Sequence, residues 1–395
     1  MSRDKYIILR NRGRQAPSLE NLSYEANVLE SGGIPDSVTI ETTDLSKSER
    51  NHLRRDPSIR AVAPPMPMKL ITPTEETPIA GDASSPTWGV DAVGAAEASF
   101  DGRGITVAVL DTGIDQDHQA FSGTDLMLKN FTGESDDDEN GHGTHCAGTI
   151  FGKDVDGVRI GIAPNIQRAL IGKVLGEKGG SSESIAKAIL WAVNEGAHVI
   201  SMSLGMDFPG LVDILVNQYN YDINPATSMA LEAYRANVNL FNELAGFVRA
   251  QGALMQGTVI VAASGNEANR PEYEIAVAPP AASTGIISVG ALGQSEQGLS
   301  PARFSNNQVD VSAPGVAVVS AIPGGGLGSK SGTSMATPHV AGVAALWAQR
   351  QLDSIGKVEH RTLMAQLIAS GITGPLAPDT EEDDVGTGIV QAPLN

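Results

Sequence analysis

Ile105-Thr-Val-Ala-Val-Leu110, followed by Asp111-Thr-Gly-Ile-Asp115, decides the fold. The run is apolar with no polar alternation, which is the pattern of a strand covered on both faces. It closes on an acid, so a carboxylate stands at the strand's carboxyl end. Comparable runs recur at 168–175, 198–204, 258–264 and 286–292. Helical patterns lie between them. In 182–195, Ile185, Ile189 and Val193 share one face and Gly196 is a natural stop. A second helix is expected over 336–349. Strands alternating with helices predict an α/β fold in three layers, with a mostly parallel sheet between helices. Ligand sites in such sheets lie beyond the carboxyl ends of the strands, where Asp111 stands.

Outward from this centre, residues 88–395 read as the main domain. Residues 72–87 are rich in Pro, Thr and Ser without apolar period and read as a linker. Residues 1–71 read as a small α+β unit, with strands at 6–9, 37–40 and 59–63 and a helix at 45–53. Within the main domain, 206–257 is a long insertion between two strands. It is helical in pattern over 229–255 and longer than one crossover helix requires. Because it directly follows Gly205, it is expected to overlie the cleft and narrow access.

The chain of 395 residues carries 27 basic and 46 acidic side chains, a net charge of −19. That balance argues against nucleic acid as a partner. The imbalance is local: residues 1–70 hold 11 Lys/Arg and 9 Asp/Glu, leaving 16 and 37 for the remainder. A mildly basic N-terminal piece beside a strongly acidic body favours their association. One cysteine, Cys146, excludes an intramolecular disulfide. No apolar run is long enough for a membrane helix. The start lacks the apolar core of a signal peptide. The compartment therefore reads as cytoplasmic, or reached by an export route that the sequence does not spell out, and the oligomeric state as monomeric.

Three further segments carry chemistry. His142 enters a helix in Asn140-Gly-His-Gly-Thr-His-Cys146. Ser334, in Gly332-Thr-Ser-Met-Ala-Thr-Pro338, starts another, where backbone N–H groups and the helix dipole favour a developing negative oxygen. Asn266 follows a strand and Gly265, and its amide can donate to the same oxygen. A serine hydroxyl needs an imidazole to take its proton, and the imidazole needs a carboxylate to fix its tautomer.

These blocks, in the order Asp, His, Ser, resemble the signature blocks of the subtilisin-like serine proteases. The resemblance continues through Gly161-Ile-Ala-Pro164, Ser201-Met-Ser-Leu-Gly205, Ser312-Ala-Pro-Gly315 and Gly386-Thr-Gly-Ile-Val390, and so spans 88–392. It implies a serine endopeptidase acting on polypeptides, with Ser334 as nucleophile, His142 as base, Asp111 as orienting carboxylate and Asn266 in the oxyanion hole. It implies that Gly179, Gly180 and Ser181 on one side, and Ser203, Leu204 and Gly205 on the other, pair with an extended substrate. Ala263, Ser264 and Gly265 complete the pocket for the residue before the scissile bond. The N-terminal unit resembles the family's inhibitor-like propeptide, which implies a zymogen cut between about 68 and 77. An accessory domain is the plainer reading of that unit. Acyl transfer to an amine and a catalytically silent scaffold are the alternatives to hydrolysis.

Cofactors are not needed for this chemistry, and His142 with His145 has no third ligand spaced for zinc. His145, Cys146 and His339 read as buried structural residues. The run Glu134-Ser-Asp-Asp-Asp-Glu139 suits a solvated loop better than a calcium loop. Family resemblance implies a structural calcium site with an aspartate at position 120, but this chain has Ala120, with Asp154 and Asp156 in the loop that would face it. Gly324–Ser331 fails the spacing of a phosphate loop and reads as a mobile lead into the Ser334 helix.

Overall fold

The computed structural model describes residues 3–12, 37–73, 75–78, 84–252 and 256–395. The central sheet runs through β6 (Thr106–Asp111), β7 (Asp125–Asn130), β8 (Arg168–Lys173), β10 (Val199–Met202), β12 (Val259–Ala263), β13 (Ile287–Ser295), β14 (Gly298–Pro301) and β15 (Val311–Pro314). Strand order is β14-β13-β12-β10-β6-β8-β7, with β15 also on β13. All pairs are parallel except β13 with β14.

Alternate side chains of each strand feed two cores, as the period of two requires. On β6, Val107 and Val109 face one core while Ala108 and Leu110 face the other. β12 divides likewise, Val259 and Val261 against Ile260 and Ala262. The first core is covered by α2 (His142–Phe151) and α6 (Thr333–Ile355), the second by α3 (Ser182–Asn194) and α5 (Ile223–Gly252). This is the expected three-layer α/β/α arrangement.

The N-terminal unit is an antiparallel sheet of β1 (Asp4–Arg12), β2 (Ser37–Leu45) and β3 (Ile59–Ala63), in the order β2-β1-β3, with α1 (Lys47–Leu53) against it. Ser46 caps α1 in a reciprocal capping box with Glu49. β1 also splits by parity. Tyr6 and Ile8 meet Leu45 and Val62 in a small core of the unit's own, whereas Ile7 and Leu9 join the core formed by α3 and α5. The unit thus shares its inner face with the main domain. Ion pairs reinforce the contact: Lys5 with Glu183, Arg50 and Arg54 with Glu232, and Arg60 with Glu243. In each, the base comes from the N-terminal unit.

Three expectations need correction. The segment read as a linker contains β5 (Glu75–Pro78), which pairs antiparallel with β17 (Leu327–Ser331); residues 74 and 79–83 lie outside the described part. β17, itself on β16 (Val318–Ala321), also means that the supposed mobile lead into the Ser334 helix is half strand. β16 and β17 form a local hairpin, whereas β5 meets β17 from far away in the sequence, which is why local composition misreads β5. Finally, the 206–257 insertion does not simply roof the cleft. Its α4 (Phe208–Asn217) borders the groove, and α5 lies against β3 and donates from Asn237 Nδ2 to Pro64 O at 2.8 Å. α5 begins six residues before the expected helix, since Pro225 in its first turn removes no intrahelical bond.

Candidate active site

Asp111 ends β6 with 2 % of its surface exposed. Its Oδ1 accepts from His142 Nδ1 at 2.8 Å and from the Thr112 N–H at 2.8 Å. His142 opens α2 and is fully buried. Burial works against its imidazolium, but the adjoining carboxylate outweighs burial and holds the His142 pKa well above its ordinary value.

A residue that composition misread fixes the entry to α2. Asp138, within the acidic run, is buried. It accepts from Thr112 Oγ1 (2.7 Å), Gly141 N (2.9 Å), Thr144 N (2.8 Å) and Thr144 Oγ1 (2.6 Å). Thr112 Oγ1 in turn accepts from Gly143 N at 2.9 Å. One carboxylate therefore ties the Asp111 strand end to the His142 helix start. An acid four residues before a helix-opening histidine was the available signal.

Ser334 is the second residue of α6. Pro338 inside that helix has no N–H for the carbonyl four residues earlier, which is that of Ser334. The freed oxygen accepts instead from Ser203 Oγ at 3.2 Å and Cys146 Sγ at 3.4 Å. Ser203 and Cys146 thus anchor the Ser334 backbone, and burial pushes the Cys146 thiol up, keeping it a neutral donor.

Asn266 is oriented by its oxygen. Oδ1 accepts from Thr333 N and Thr333 Oγ1, both at 2.9 Å, so Nδ2 points into the groove. Gly265 N donates to Thr333 Oγ1 at 3.3 Å. A β-carbon on Gly332 would stand 3.0 Å from Asn266 Nδ2, which explains glycine there. The structure therefore brings Asp111, His142, Ser334 and Asn266 together.

The groove is filled by the chain itself. β4 (Pro67–Leu70) lies between β9 (Gly180–Ser181) and β11 (Leu204–Met206), antiparallel to both. Gly205 faces Lys69, and Gly180 faces Met68. At Gly179, with φ of +82°, a β-carbon would lie 2.6 Å from Met68 O. Ile71, 3 % exposed, sits where a β-carbon on Gly205 would approach it to 3.7 Å. Ala263 closes β12 and Ser264 donates to Asn306 O at 3.3 Å; both are buried. Ser334 Oγ donates to Ile71 O at 3.0 Å, and Asn266 Nδ2 donates to Thr72 O at 3.0 Å. His142 Nε2 is buried without a hydrogen-bond partner.

The family model described as the subtilase family matches residues 102–387. The chain belongs to the subtilase family. It is 35 % identical over 278 residues to the major intracellular serine protease of Bacillus subtilis, covering 68 % of this chain and 76 % of that protein. It is 36 % identical over 275 residues to subtilisin Savinase of Lederbergia lenta, covering 68 % of this chain and 86 % of that one. Among solved structures, fervidolysin of Fervidobacterium pennivorans, a keratinolytic enzyme related to subtilisin, matches with a TM-score of 0.66 at 21 % identity. The likeness covers 100 % of this chain, which spans 62 % of fervidolysin's length. At that identity it speaks for the fold alone. The subtilase chain is thus a subtilisin-type serine protease, and the chemistry of its family needs no cofactor.

The corner implied for structural calcium does not fit a cation. Ala120 offers a buried methyl, its carbonyl accepts from Lys153 N at 2.8 Å, and the Lys153 ammonium donates to Ser122 O. A positive side chain already stands there. His145 and His339 are buried; His145 Nε2 lies 3.0 Å from Val318 O and His339 Nδ1 lies 2.8 Å from Met335 O. Among the described residues, no helix is long and apolar enough to cross a membrane.

Proposed function

We propose that this subtilisin-type serine endopeptidase is made as a zymogen, with Ser334 as nucleophile and residues 1–71 as an inhibitory propeptide cut at Ile71–Thr72. The observation that carries the reading is the Ser334 hydroxyl on the Ile71 carbonyl, at the end of a strand paired on both sides as a substrate would be.

In the working enzyme, His142 Nε2 takes the Ser334 proton as Oγ bonds to the carbonyl carbon. Asn266 Nδ2 and the Ser334 N–H receive the resulting oxyanion. His142 then gives the proton to the leaving amine, and water, deprotonated by the same nitrogen, releases the acyl group. Asp111 holds the tautomer throughout. In the zymogen these groups are divided. Ser334 addresses the carbonyl of residue 71 while Asn266 addresses that of residue 72, so neither carbonyl has both nucleophile and side-chain oxyanion donor. This division supports a strand held in substrate direction yet cut slowly. Structural calcium at the Ala120 corner forms no part of the proposal.

Intact-mass measurement of the purified chain over time tests this. Loss of residues 1–71 in the native protein, absent in Ser334→Ala, is the expected result. A first cut elsewhere, or an identical cut in Ser334→Ala, would overturn it.

A further inference from the structure

Lys69 is the side chain of β4 that the catalytic reading leaves without a purpose. Counting back from Ile71, it is the third residue before the scissile bond. Strand alternation sends it to the face opposite Met68 and Leu70. Met68 is buried at 2 % exposure, so the apolar side of the strand is already satisfied. Lys69 Nζ stands between two carboxylates, 3.6 Å from Asp207 Oδ1 and 3.5 Å from Glu267 Oε1.

Neither carboxylate is a free-floating surface group. Asp207 follows the wall strand β11, caps α4 by accepting from Gly210 N at 3.2 Å, and donates its own N–H to Pro67 O at 3.0 Å. Glu267 follows Asn266 in sequence. Its Oε2 accepts from Asn306 Nδ2 at 2.9 Å, which leaves Oε1 to meet the lysine. Two structural elements, the junction of β11 with α4 and the turn after β12, therefore each present one oxygen to the same ammonium. Asp207 is the second residue of the 206–257 insertion.

We infer that Asp207 and Glu267 form a subsite selecting substrates with a basic side chain three residues before the cleaved bond. This rests on the reading of β4 as a substrate-like strand. A lysine or arginine there repeats the contacts of Lys69, an alanine loses them, and a glutamate meets two like charges. The pairs are partly exposed, so the preference is moderate: about 3- to 10-fold in kcat/KM for Lys over Ala. It weakens toward unity in molar salt, where the screening length falls to about 3 Å.

Two measurements test it. The first uses enzyme matured from the full chain and quenched peptides that differ only at the third position. The expected order is Lys above Ala above Glu, inverted in the Asp207→Lys, Glu267→Lys double variant. The second needs no activity. In uncut Ser334→Ala protein, Lys69→Glu is expected to raise amide exchange over 67–72 several-fold, and the double lysine variant to restore protection. Equal rates across the peptide series, or no restoration by the charge swap, would overturn the subsite. Full restoration alongside maturation at a bond other than Ile71–Thr72 would instead sink the reading of β4 as a substrate-like strand, and with it the subsite's place at the third position.

Discussion

Ser334 donates its hydroxyl to Ile71, not to His142. That hydroxyl proton rests on a carbonyl of its own chain, and His142 Nε2, the nitrogen proposed to take it, is buried without a hydrogen-bond partner. Ile71 is held by burial in the pocket beside Gly205. Replacing it with a carboxylate sets several kcal/mol of desolvation against the docked strand. Ile71→Asp should therefore release the segment without cutting it. Labelling of the uncut chain by a fluorophosphonate should rise at least about tenfold, since 1.4 kcal/mol of lost docking already gives that factor. Unchanged labelling would mean that something other than the Ile71 contact keeps Ser334 idle.

With His142 as the proposed base, the Asp111–His142 pair is expected to set the pH dependence. Burial opposes the charge, the carboxylate favours it more strongly, and the His142 pKa stands above its ordinary value. Imidazolium cannot accept the Ser334 proton. Activity should therefore be low in acid and rise as pH climbs through that elevated pKa, with the midpoint of kcat/KM above 6.5, the unperturbed value. Asp111→Asn removes the raising charge, so any residual activity should titrate lower. A midpoint below 6.5 in the native enzyme would contradict this balance of burial and charge.

Much of this centre is legible in the sequence because its pieces are local. A buried strand ending in an acid, a histidine opening a helix and a serine before Met335-Ala336 each announce themselves within a few residues. Asp138 was legible only as one acid among several, since its burial is decided by Thr112 and Thr144. β5 hides in a Pro- and Thr-rich stretch because its strand character comes from the edge of β17. Lys69 looks like any surface lysine until β4 is laid between Asp207 and Glu267. What the sequence conceals, in each case, is a partner distant in the chain.

Three other histidines predict acid lability. Burial lowers His145 to about 3, and His198 and His339 to about 4. A base whose folded pKa is depressed is neutral when folded but takes a proton when unfolded below about 6.5. Stability from these groups is complete above that value and lost as pH falls from it toward the folded values. Each contributes a slope of at most about 1.4 kcal/mol per pH unit in that window. Urea unfolding of Ser334→Ala should show stability falling between pH 6.5 and 4.5, above the range where most carboxylates titrate. A flat profile there would show that these side chains are already solvated in the native state.

Thr333 tests how Asn266, the proposed oxyanion donor, is aimed. Its N–H and hydroxyl both hold Asn266 Oδ1, and the hydroxyl also accepts from Gly265 N. Thr333→Val keeps the shape and the backbone bond but loses the hydroxyl. One net hydrogen bond is worth about 1 kcal/mol, and the loss falls on a group whose bond to substrate strengthens in the transition state. kcat should drop about 3- to 10-fold with KM little changed, and Thr333→Ser should restore it. A rise in KM at constant kcat would place Thr333 in ground-state binding. A loss in the serine variant with none in the valine variant would point to packing of the methyl group instead.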